Sequence, residues 1–253
     1  MIKPQVRAIL LFFLVCCFGV LIFGGYLIKR DKPPIPQRIV DQNDKVIITE
    51  DNIKDGQHYY YSRGGQHIGT IWGHGSYLAP DWSADYLHRL GLYTAARYLG
   101  LDAEKARSFT QKDFDSLDPV KKAELSAMVA KDLRANRYDP EKNELAYTSY
   151  QAEALEYLKD YYTELFTKGN DRMGLQPGIA RNDKDGFIIA SFFSWLAWAA
   201  GTTRPGKDVT YTTNWPYDPL VGNVPTAEMV IWSIVSVVLR SEERRVGKEC
   251  RSR

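Results

Sequence analysis

Cysteine is nearly absent from this 253-residue sequence, and its placement excludes more than its number does. Cys16 and Cys17 lie in an apolar N-terminal stretch and Cys250 in the last few residues. The chain from Tyr26 to Arg240 has none. That stretch therefore carries no disulfide, no thiolate zinc site and no C-x-x-C-H haem attachment. A G-x-S-x-G nucleophile elbow is also missing. The glycine-rich run "GGQHIGTIWGHG" lacks the lysine of a phosphate loop. Charge of one sign is equally scarce: 33 Lys and Arg face 31 Asp and Glu, for a net +2. The final segment, "RSEERRVGKECRSR", alone contributes three net positive charges, so the rest is slightly acidic. No nucleic-acid partner is expected.

Long uncharged runs, by contrast, are present. Ala8 to Ile28, "AILLFFLVCCFGVLIFGGYLI", has 21 residues without a charge, and as a helix it would reach about 31 Å. This predicts a transmembrane anchor over 8–28. A cleaved signal peptide is the competing reading, but its apolar region would be shorter, and no small-x-small cleavage pattern follows. Lys29, Arg30, Lys32 and Arg38 outnumber Lys3 and Arg7. Long domains translocate regardless of such flanks, so charge leaves the orientation open.

Beyond the anchor, "RDKPPIPQRIVDQNDKVIITEDN" reads as a stiff proline-containing exit and a short strand at Val46 to Thr49. "EDNIKDGQHYYYSRGG" predicts a short helix closed by Gly64 and Gly65. Asp81 or Ser83 can cap a helix in which Trp82, Tyr86, Leu90, Tyr93 and Arg97 recur at helical spacing, up to Gly100. Asp118-Pro119 starts another, with Leu125, Met128, Val129 and Leu133 inward. After an extended piece at Leu145 to Tyr147, Ser149 is the expected cap of a helix that turns Ala154, Leu158, Tyr161, Tyr162 and Leu165 inward and stops at Gly169. Phe187 to Ala200 is a 14-residue apolar run, too short to span a bilayer, and predicts a buried or interfacial helix. With scarcely any strand, the domain is expected to be mainly helical.

"AEMVIWSIVSVVL" begins like a second membrane helix, but Met229 to Leu239 supplies only 11 uncharged residues before the charged segment from Arg240. That segment, 240–253, looks like a translated cloning or adapter sequence, and as such is set aside from functional reasoning. The four histidines, His58, His67, His74 and His88, fall within 31 residues. Their spacing gives no H-x-x-x-H pair and no cysteine completes a set. Asp81 and Asp85 lie near a helix start, where the helix dipole accounts for them without catalysis. No catalytic, cofactor-binding or metal residue is assigned from the sequence.

"GTIWGHGSYLAPDWSADYLHR" resembles the signature of the N-terminal extension of quinol-dependent nitric oxide reductases, and "TNWPYDPLVGNVPTAEMVIWSIVS" is similar to the junction where that extension meets the first helix of their haem-copper-oxidase-like core. The resemblance runs from about Ile28 to Leu239. It implies a mainly α chain: an anchor at 8–28, a haem-free cytochrome-c-like periplasmic domain at 29–226, and the start of a second transmembrane helix at 227–239. The family reduces two NO to N2O with electrons from quinol, at haem b and non-haem iron in later membrane helices. The implied partners are therefore membrane lipid, quinol and NO for the complete enzyme, and a transmembrane core for the domain to pack against.

A more distant similarity links the first motif to the small cytochrome c subunit of related reductases. There a C-x-x-C-H attachment leads into a segment like "TIWGHGSYLAP". It would fall here at Gly65, Gln66, His67, Ile68 and Gly69, which lack both cysteines and the axial histidine. The resemblance thus implies a haem pocket whose haem has been lost, with Trp72, Tyr77 and Trp82 filling the volume. Two other classes stay open: a membrane-tethered periplasmic interaction or sensor domain, and a divalent-metal module built on the histidines.

Overall fold

The computed structural model of the protein describes residues 4–73 and 78–238. Its contacts divide the chain after Pro34. The first unit is one helix, α1 (Pro4–Asp31), with no buried residue. Its length and apolar composition suffice to cross a membrane.

The second unit begins at Ile35. In chain order it contains β1 (Arg38–Val40), β2 (Val46–Thr49), α2 (Glu50–Ser62), a 3-10 turn (Gly65–Ile68), α3 (Trp82–Tyr98), α4 (Ala103–Ser108), α5 (Gln111–Asp115), α6 (Pro119–Arg134), β3 (Tyr138–Asp139), β4 (Glu144–Ala146), α7 (Ser149–Lys168) and α8 (Asp183–Gly201). A further apolar helix, α9 (Ala227–Val238), closes the described chain. The unit is mainly helical.

Helix starts follow side-chain chemistry that the sequence announces. Thr49 and Asn52 form a reciprocal capping box at α2, Asp81 caps α3, and Asp118 caps α6 ahead of Pro119. At α7 the cap is Thr148, one residue before the expected Ser149. The Thr148 side chain accepts from the Gln151 amide, while the Gln151 carboxamide accepts from Thr148 N at 2.9 Å. Threonine wins here because the residue three positions on is the glutamine that completes the box.

The 14-residue apolar run lies in α8, the central helix. Every residue from Ile188 to Gly201 is buried, and α2, α3 and α7 pack around it. Trp195 and Trp198 are 6% and 5% exposed, so both belong to the domain core. Tyr161 and Met128 lie at the edge of their helices' inner faces, half-buried, while Leu125, Val129, Leu133, Ala154, Leu158, Tyr162 and Leu165 are buried as their periodicity predicts.

Strand content exceeds the expectation. The short strands form one sheet in the order β2-β1-β4-β3, with β1 antiparallel to β2, parallel to β4, and β3 antiparallel to β4. Only Ile39 and Val40 of β1 are buried, too few apolar positions for alternation to show in the sequence. Pairing between segments a hundred residues apart defines this strand: Ile39 sits opposite both Ile48 and Leu145.

Candidate functional site

The glycine-rich loop after α2 is shaped around one tryptophan. Trp82, fully buried, donates from Nε1 to the carbonyl of Ile68 at 3.1 Å. It stacks on Phe193 with centroids 5.6 Å apart, and lies edge-on to Phe166 and Tyr162 at 5.0 and 6.1 Å. Gly69 runs beneath the indole with φ +126, and a Cβ there would lie 2.2 Å from Trp82 Nε1. Only glycine fits. Tyr60 fastens the same point from below, its hydroxyl donating to Gly69 O at 2.6 Å.

Asp81 closes the loop. One carboxylate oxygen accepts from the Ala84 amide at 3.0 Å and from the Ser83 hydroxyl, and the other from Thr70 Oγ1 at 2.9 Å and from the Gly73 amide. Ser83 Oγ in turn accepts from Trp72 N at 2.9 Å. The helix cap is therefore also the clasp of the loop, a role that dipole stabilisation alone does not describe. Trp72, half-buried, donates from Nε1 to Leu196 O at 3.1 Å and packs against Trp195. Asp85 does not pair with Asp81. It accepts from Arg89 Nε at 3.0 Å and from the buried Tyr162 hydroxyl at 2.8 Å. The Arg89 guanidinium stacks 3.8 Å above Tyr161, whose hydroxyl burial pushes up to about 12.

The second motif folds against the first. A Cβ at Gly73 would lie 1.7 Å from Trp215 Nε1, so the end of the glycine-rich loop fits directly onto that tryptophan. Asp218, 4% exposed, organises the next turn: Oδ1 accepts from the amides of Leu220 and Val221 at 2.8 and 3.3 Å. Oδ2 lies 2.8 Å from His88 Nδ1, on α3. Asn223 accepts from Asp218 N and donates to Ala200 O and Pro216 O at 3.0 and 2.8 Å. Asn214 donates to Val224 O at 2.7 Å. Thr226 Oγ1 then accepts from Met229 N in the first turn of α9. The segment feeding α9 is thus tied to the C-terminal end of α8 and to α3. The Asp218 hydrogen bond lifts His88 above its ordinary value, against partial burial, which lowers it.

Of the residues singled out in the sequence, Trp82 and Trp72 converge on α8, whereas Tyr77 and His74 lie outside the described residues. His58 and His67 are exposed and His88 is paired with Asp218. Among the described residues no group of three or more His, Cys, Asp or Glu could hold a metal ion. Asp218, Asn223 and Asn214 had no signal beyond a turn-rich run, because their partners lie elsewhere in the chain.

The family of the cytochrome c-like domain of NorB, a nitric oxide reductase polypeptide, matches residues 36–217. The chain belongs to this family. The match spans more than half of the sequence, takes in the whole first motif and reaches Tyr217 in the second. A search of curated proteins gives no match. The family is one of membrane-bound oxidoreductases, in keeping with the span-length α1.

A cytochrome-c-like fold implies a covalently held haem, and the residues here do not fit one. The stretch that the resemblance aligns with a C-x-x-C-H attachment reads Gly65, Gln66, His67, Ile68 and Gly69, with no cysteine and no histidine at its last position. A histidine at 69 would drive its Cβ into Trp82, whose indole is itself packed by Phe193, Phe166 and Tyr162.

Proposed function

We propose that this chain carries the extracytoplasmic extension of a quinol-dependent nitric oxide reductase, with α1 as its anchor, the domain from Ile35 on the periplasmic side and α9 as the beginning of a second membrane helix. The overall reaction joins two NO with two electrons and two protons to give N2O and water. A quinol supplies both electrons and both protons on its oxidation to quinone. The chemistry belongs to haem b and non-haem iron in a membrane core beyond the described residues. This domain is a scaffold for that core and transfers no electrons.

One feature supports the reading: the stretch that the resemblance aligns with a haem attachment has glycine and isoleucine where the cysteines would stand, and a Cβ at Gly69 would collide with Trp82. A domain of this ancestry without its haem cannot accept electrons from a soluble cytochrome, so the donor must reach the core through the membrane.

The 253-residue chain, produced with a c-haem maturation system, is expected to retain no covalent haem and to consume no NO with reduced quinol. Joining residues 1–239 to the membrane core of a quinol-dependent relative is expected to give a haem-containing enzyme that consumes NO with quinol. Covalent haem on the present chain, or turnover by it alone, would overturn the proposal.

A further inference from the structure

We infer that His88 is a proton-controlled latch that fastens the 216–223 turn, and through it the segment leading into α9, to the core helix α3. The inference rests on the geometry of the second unit and holds whatever chemistry the complete protein performs.

The latch has a fixed side and an open side. Asp218 is the fixed side, its residue 4% exposed. It commits Oδ1 to the Leu220 and Val221 amides and Oδ2 to His88. A carboxylate so buried needs compensation, and His88 is the one cationic partner within ion-pair distance among the described residues. His88 is the open side: its side chain is 37% exposed and lines a cleft of about 310 Å³. Protons therefore reach the imidazole, while the carboxylate it serves stays buried.

The charges around His88 work in opposite directions. On its own helix Asp85 favours the imidazolium and Arg89 opposes it. Across the cleft α4 contributes Arg107 and α7 contributes Tyr157. The direct hydrogen bond to Asp218 is the largest of these influences and shifts the balance towards the imidazolium. When the proton leaves, Nδ1–H can still donate to Asp218, but a charge-assisted hydrogen bond becomes a neutral one. The turn then holds α3 less firmly. Only a short link, residues 224–226, separates Asn223 from the start of α9 at Ala227, so loosening is passed directly to that helix.

Hydrogen exchange on the full chain in detergent micelles tests this, with rates corrected for the intrinsic effect of pH. Protection of the Leu220 and Val221 amides is expected to fall about fivefold between about pH 5.5 and about pH 8.5, the ratio set by exchanging a charge-assisted for a neutral hydrogen bond. The midpoint should coincide with the His88 imidazole titration followed by NMR. His88→Gln keeps a donor but does not titrate, and its corrected protection should be flat with pH. A wild-type profile without this drop, a drop equally present in His88→Gln, or a midpoint that departs from the imidazole titration would overturn the latch. The wild-type comparison of midpoints stands even if the variant fails to fold.

Discussion

The two motif segments meet in one domain but hold their places by different physics. Around Gly69 the chain encloses Trp82, and the indole is held largely by aromatic packing: Phe193 stacked, Phe166 and Tyr162 edge-on. Around Asp218 the contacts are directed hydrogen bonds from His88, Leu220 and Val221, with Asn223 accepting from the Asp218 amide. The seat of the Trp82 indole depends on volume and the Asp218 turn on donors and acceptors. Packing fails when atoms are removed or added, and is indifferent to pH. A polar junction fails when a partner is left unsatisfied, and responds to protons.

The largest expected effect tests the packed region. Trp82→Ala should destabilise the second unit by about 3 to 5 kcal/mol, read from denaturant unfolding of the full chain in micelles. Gly69→Ala should follow, at about 1 to 3 kcal/mol, since its Cβ collides with the indole and its positive φ disfavours any side chain. The comparison sharpens in the double variant: with Trp82 already truncated, Gly69→Ala should cost clearly less than alone. If the two costs simply add, the indole is not what excludes a side chain at 69.

In the polar region Asp218→Ala leaves the Leu220 and Val221 amides without their acceptor and should cost about 1 to 3 kcal/mol. It should also return the His88 titration towards its ordinary value, as read by NMR. An unchanged imidazole titration would separate His88 from the junction.

The smallest effects are those of pH, and their signs are opposite. His88 has a raised folded value, so its contribution is complete below about 6.5, the unfolded value, and is lost as pH rises through the folded one. Asp185 is lowered to about 2 by Arg181, against burial, with Tyr59 assisting. Its contribution is therefore present above the ordinary carboxylate range and lost as pH falls towards 2. His88→Gln should flatten the alkaline side of a stability profile, and Asp185→Asn the acid side, each leaving the other intact.

Much of this architecture was legible in the sequence because it is local. Apolar spacing marked α3, α6 and α7, a 14-residue apolar run marked α8, and Asp118-Pro119 marked the start of α6. What escaped was set by distance along the chain. β1 exists only because Ile39 finds Ile48 and Leu145. The His88 and Asp218 pair joins residues 130 positions apart. The loop motif was visible as a resemblance, and its glycines as conformational freedom. That Gly69 answers to Trp82 and Gly73 to Trp215 required the fold.

The buried state of α8 also bears on how such a chain is made. Machinery that inserts helices into a bilayer reads apolar length, and α8 is as greasy as a span without being one. Its uncharged, mostly apolar stretch, Phe187 to Ala200, falls short of the roughly 20 residues that insertion favours. Asp183, Lys184 and Asp185 bound it on one side, and Arg204 and Lys207 lie soon after it on the other. Brevity and flanking charge together keep the segment available for the domain core during synthesis. Lengthening it by a turn and a half of leucine would add little to packing that is already closed, and would turn a folding segment into a competitor for the membrane.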